Sequence, residues 1–139
     1  MNARSLAALN VGDRIPSLTT EPITRLTLAL YAGASGDHNP IHVDSDFARA
    51  AGVGDVFAHG MLSMAYLGRL LTNALPQEAI REFSVRFVAI THVGDAVTCE
   101  GVVTEKFERA GEPCARMQLT ATTQRGVVTL RGEAIVALA

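Results

Sequence analysis

The chain is poor in the residues that mark extracellular, membrane or nucleic-acid-binding proteins. Its 139 residues include two cysteines, Cys99 and Cys114, and no tryptophan. Two thiols are too few for a disulfide scaffold, and both are expected as core or strand thiols. No apolar run approaches the roughly eighteen residues that a membrane span needs. Residues 1–11 hold one arginine and a short apolar stretch, Leu6-Ala7-Ala8-Leu9, broken at Asn10 and again at Gly12-Asp13-Arg14. That segment lacks the apolar core and cleavage site of a secretory leader, so the expected location is cytoplasmic. Basic runs are also missing. With 12 lysines and arginines against 14 acids the formal net charge is −2, which argues against a nucleic-acid partner. No Gly-x-Gly-x-x-Gly opens a helix to cradle phosphate, and no Gly-x-Ser-x-Gly supplies an acyl-enzyme nucleophile.

What is present suits a compact fold. Apolar residues make up 48% and charged ones 19%, and residues 1–139 are expected to form a single domain with a real core. Thr24 is placed to cap a helix carrying Leu26, Leu30 and Tyr31, which Gly33 or Gly36 can end. Asp44 or Ser45 caps a short helix over 46–51. Residues 60–75 are predicted helical and apolar around most of their circumference, leaving a narrow polar strip near Arg69 and Asn73; such a helix is expected to be buried. Pro76 stops it. The period then changes from helical to alternating at Phe83-Ser84-Val85-Arg86-Phe87-Val88. Three further strands are expected over 96–107, 114–123 and 127–137, with turns at Gly94-Asp95, Gly111-Glu112-Pro113 and Arg125-Gly126. An α+β fold follows, with an antiparallel sheet wrapped around one buried helix. Its open edges imply at least a dimer.

The densest chemistry lies in Gly36-Asp37-His38-Asn39-Pro40-Ile41-His42. Pro40 has no amide hydrogen and disfavours helix at Asn39, so this stretch is a rigid turn. Asp37 and His42 have ordinary pKa values near 3.9 and 6.5, suited to a carboxylate that orients and an imidazole that moves a proton. An Asx-turn with a purely structural histidine fits the same spacing. Gly36 and Asn39 read as scaffold. A zinc pair at His38 and His42 would need the helix that Pro40 forbids, which leaves only convergence of Asp37, His38, His42 and His59 from loops. No metal is expected. His38 and His92 are expected to be exposed. Gly60 opens the central helix, where unpaired amides and the dipole favour a developing oxyanion. Ser63, one turn in, is placed to hold a substrate carbonyl or the catalytic pair, or simply to bond back to its own helix.

The stretch from Tyr31 to His42, with its Gly-Asp-x-Asn-Pro-hydrophobic-His core, followed by Ala58-His59-Gly60-Met61, resembles the MaoC-like hydratases of the hotdog fold. That family includes (R)-specific enoyl-CoA hydratases and 3-hydroxyacyl-thioester dehydratases. The resemblance implies a single hotdog fold, a curved antiparallel sheet around a long central helix, with two hotdogs pairing into one continuous sheet. It implies that Asp37 and His42 activate water for addition to a trans-2-enoyl thioester, giving an (R)-3-hydroxyacyl thioester reversibly. Gly60, Ser63 and Asn39 are then expected as oxyanion or substrate-positioning residues. No cofactor is expected beyond the coenzyme A or acyl-carrier phosphopantetheine that the substrate itself carries. The expected partner is a second copy of the chain, in a homodimer or higher homo-oligomer, or a related subunit in a heterodimer. The competing functions are a non-catalytic acyl-binding or partner subunit and a hotdog thioesterase.

Overall fold

The computed structural model describes residues 6–139. Residues 1–5, the start of the segment read above for a leader, lie outside the described residues; Leu6 and Leu9 pack into the core. The elements are β1 (Leu18–Thr19), α1 (Arg25–Ser35), a 3₁₀ turn (Pro40–His42), α2 (Ser45–Ala50), α3 (Gly60–Ala74) and a second 3₁₀ turn (Gln77–Ala79). Four longer strands follow: β2 (Ile80–Phe87), β3 (Val97–Arg109), β4 (Glu112–Thr123) and β5 (Val128–Ala137).

The strands form one antiparallel sheet in the order β1-β3-β4-β5-β2. Helix α3 packs against β1, β2, β3 and β4, so the sheet must curl around it. Register shifts at Ile80/Glu82, Val103/Glu105 and Ala121/Thr122 supply the bend, because an extra residue on one strand sharpens its local twist. Leu67, Leu70 and Leu71 of α3 are fully buried with Val103, Met117, Leu119, Leu130 and Val136 of the sheet. Each such side chain contributes about 1.5–3 kcal/mol by leaving water. This is the hotdog architecture. Cys99 and Cys114 are both buried and unpaired, and burial pushes the Cys99 thiol up to about 12. Among the described residues no helix is long and apolar enough to cross a membrane.

Local details depart from the sequence expectations in instructive ways. Helix α3 is not buried all round: Met61, which faces a cleft, is 52% exposed, and Ala65 is exposed as well. In α1 the buried residues are Leu28 and Ala32, whereas Leu26 and Leu30 face outward. Strand β2 begins at Ile80, three residues before its alternation becomes visible. The β3–β4 turn is Ala110-Gly111 rather than 111–113. Both residues have positive φ, 51° and 80°, as a tight two-residue hairpin requires. Pro113 therefore belongs to β4, second in the strand, where a missing amide is tolerated.

Candidate active site

The site forms where the turn after α1 meets the start of α3. Gly36 ends α1 in the left-handed conformation, φ 76°, with its amide donating to the Ala32 carbonyl. Asn39 then caps the 3₁₀ turn through its side-chain oxygen, which accepts from the Ile41 amide at 3.1 Å, and Pro40 occupies the first turn position. These two devices orient Asp37 and His42. One Asp37 oxygen, Oδ1, accepts from the Asn39 amide at 3.3 Å, so the Asx-turn considered above does form. Its other oxygen, Oδ2, lies 4.0 Å from His42 Nε2. The structural and the chemical readings of Asp37 thus coexist on its two oxygens.

His42 is only 8% exposed. Its Nδ1 lies 2.8 Å from the Phe57 carbonyl; a carbonyl can only accept, so Nδ1 carries hydrogen and Nε2 is the free base in the neutral ring. The Phe57 segment is itself fixed, by a bridge to His92 and by the Ala58 amide donating to the Thr91 carbonyl. One face of the His42 ring stacks on His59 at 3.9 Å and 26°, and the Phe57 ring meets it edge-on at 5.1 Å. His59 is 1% exposed, and its Nε2 lies 3.3 Å from the Asp37 carbonyl. Burial, together with the nearby His42 charge, holds the His59 pKa below its ordinary value. Tyr31 packs against His59 at 4.8 Å; burial and the Asp37 charge push its hydroxyl pKa up.

A cavity of about 490 Å³ opens beside this cluster. Its wall includes Asp37 and Thr91 as polar members, and is otherwise made largely of Phe57, Gly60, Met61, Phe87 and Ile90. A mostly apolar cleft with few convergent polar groups suits a small molecule with an apolar tail. Asp37, His42 and His59 each offer a donor atom within 4.8 Å of the others. The two rings are nearly parallel, however, so their in-plane lone pairs run side by side and do not converge on one ion.

Residues 10–125 match the MaoC like domain. The chain belongs to the MaoC-like family. It is 34% identical over 113 residues to the (R)-specific enoyl-CoA hydratase of Aeromonas caviae, covering 80% of this chain and 83% of that protein. It is 38% identical over 96 residues to the 3-hydroxyacyl-thioester dehydratase Z of Mycobacterium tuberculosis, 65% of this chain and 64% of that one. Among solved structures, the A. caviae (R)-hydratase involved in PHA biosynthesis superposes with a TM-score of 0.82 at 32% identity. That match covers 95% of this chain and 98% of the other.

In this MaoC-like chain the residues singled out from sequence occupy distinct positions. Asp37 and Gly60 line the cavity, while His42 stands behind Asp37. A Cβ on Gly60 would lie 2.8 Å from the Phe87 ring, so any larger residue there must push that ring out of its place in the cavity wall. Ser63 is buried and within 3.4 Å of the Thr91 hydroxyl, one step behind the cavity wall. The Asn39 side-chain oxygen is occupied by its cap bond. His38 and His92 are exposed. The residue that sequence reasoning underweighted is His59, considered there only as a loop ligand. Its position just before Gly60 was the available signal.

Proposed function

We propose that this protein catalyses reversible hydration of trans-2-enoyl thioesters to (R)-3-hydroxyacyl thioesters, with Asp37 and His42 as the acid–base pair. The observation that carries this reading is the open 4.0 Å separation of Asp37 Oδ2 and His42 Nε2 at the polar end of an apolar cleft. Two acceptors that far apart can each take one hydrogen of a single water at about 2.8 Å, leaving its oxygen free to attack. In the forward step the water oxygen bonds to C3 of the enoyl group and its proton passes to His42 Nε2. The imidazolium formed beside the Asp37 carboxylate is stabilised by that charge. The C2–C3 π electrons move onto the thioester oxygen as an enolate. The enolate collapses by taking the proton back at C2, on the face from which water came. Atoms and charge balance with no metal or organic cofactor.

The Gly60 amide, at the positive end of α3, is our assignment for the enolate contact, an effect worth roughly 10²–10³ in rate per donor. Ser63 and Thr91 support the cavity wall, and Asn39 shapes the turn. The acyl chain lies along Met61, Phe87 and Ile90. The handle is coenzyme A or acyl-carrier phosphopantetheine, the whole of residues 1–139 acts as one domain, and the setting is cytoplasmic. The exposed apolar rim, with Met61, Phe87 and Val88 each about half exposed, supports a homodimer or higher homo-oligomer, with a heterodimer as the variant arrangement.

Purified protein incubated with crotonyl-CoA tests the reading. Loss of the conjugated enoyl absorbance without free thiol is expected. Thiol release would make it a thioesterase, and no change at any chain length would make it a binding subunit.

A further inference from the structure

His59 is the most deeply buried ionisable group of the cluster, and the pairwise chemistry above leaves it without a task. Its hydrogen-bonding state follows from its partner. The Asp37 carbonyl can only accept, so Nε2 carries the hydrogen and donates across 3.3 Å. Nδ1 is then a bare acceptor, buried and with no hydrogen-bond partner among the described residues. An apolar ring of similar size would fill the same space without stranding a polar nitrogen. What phenylalanine could not do is donate to the Asp37 main chain. What glutamine could not do is offer a flat face to His42.

We propose that His59 is a positioning residue that fixes both members of the pair at once, the His42 ring through its face and the Asp37 backbone through its edge. The face contact is the 3.9 Å stack at 26°, with Tyr31 bracing His59 at 4.8 Å. The edge contact is the bond to the carbonyl of the residue that carries the carboxylate. Together they set the separation of Asp37 Oδ2 and His42 Nε2 on which water capture depends. Burial keeps His59 neutral, so it does not compete for the proton that His42 accepts. This inference rests on the reading of Asp37 and His42 as the proton-transfer pair.

The test separates the two contacts. His59→Phe keeps the face and loses the donor; His59→Gln keeps a donor and loses the face. Each is made alone and on a His42→Ala background, with kcat and KM measured for crotonyl-CoA hydration. Each single variant should lose roughly 10- to 100-fold in kcat, as misplacement of a reacting group by an ångström does, with KM within about threefold. On the His42→Ala background the loss from His59→Gln should shrink to below about threefold, because the ring it positions is gone. Unchanged kcat in folded variants, or an equal loss from His59→Gln on both backgrounds, would overturn the proposal. So would failure of both variants to fold, since His59 would then be a plain core residue. If His42→Ala alone were as active as wild type, the pair itself would be misassigned.

Discussion

The dipeptide Gly-Asp occurs four times in this chain, and the aspartates of two copies, at 36–37 and at 94–95, have opposite fates. Asp95 is buried and saturated: its oxygens accept from the His92 amide at 2.9 Å, from Gln124 at 3.4 Å and, one each at 3.2 and 3.3 Å, from the single Nη2 of Arg125. Asp37 is exposed to the cleft and keeps one oxygen in loose register with a histidine 4.0 Å away. A carboxylate with every acceptor site filled holds a fold together and has nothing left for a substrate. One held on a single oxygen has a hand free. The surrounding elements decide which it becomes: a strand end and Arg125 close around Asp95, whereas Pro40 and Gly36 keep the other turn open.

The contrast can be broken at either aspartate. Asp37→Asn should lower kcat by about 10²–10⁴, some 3–5 kcal/mol of barrier, while the thermal midpoint stays within about 2 °C of wild type. Activity and calorimetry on the same preparation check it. Asp95→Ala should do the reverse. It should cost about 2–4 kcal/mol in urea unfolding by stranding buried donors, with kcat at low temperature within a fewfold of wild type. A catalytic defect from Asp95 exceeding its stability defect would dissolve the distinction.

Smaller effects sharpen the same picture at the helix that completes the Asp37 side. Gly60→Ala pushes a methyl to within 2.8 Å of Phe87, whose exposed ring can swing aside at the expense of the cavity wall. Steady-state kinetics should show roughly a tenfold fall in kcat, near 1.4 kcal/mol, with the fold intact. The smallest effect is in pH. The His59 pKa is lowered in the folded state, so below its ordinary value near 6.5 the unfolded chain binds the extra proton first. Stability should therefore fall as pH drops from about 7.5 to 5.5, and His59→Phe should flatten that slope in urea midpoints. Groups with lowered carboxyl values, such as Asp55 beside Arg25 and Ser45, act only below about pH 4.5, outside this window.

Much of this was legible in the sequence, for identifiable reasons. Proline and asparagine at 39–40 and glycine at 36 constrain their own backbone, so the turn could be read locally. Period-two alternation in 83–87 and the long apolar run of α3 reflect burial against one sheet, and both survived folding. The failures are non-local. The stack of His59 on His42 joins loops seventeen residues apart, and no periodicity encodes it. Met61 is apolar and lines the cavity, which a helical wheel cannot tell from a core. Pro113 reads as a turn residue from its type alone, while the true turn falls on Ala110 in a conformation alanine rarely adopts.

The central claim is that one pair, on one face of the substrate, handles both the hydroxyl and the proton of a single water. Hydration of crotonyl-CoA in deuterated water reads it directly, through the relative configuration of the new C2 deuterium and C3 hydroxyl by NMR coupling. Addition of both to the same face, giving the (R)-3-hydroxy product, is the predicted result. Addition to opposite faces would require a proton donor across the cleft from Asp37 and His42, and would contradict the account.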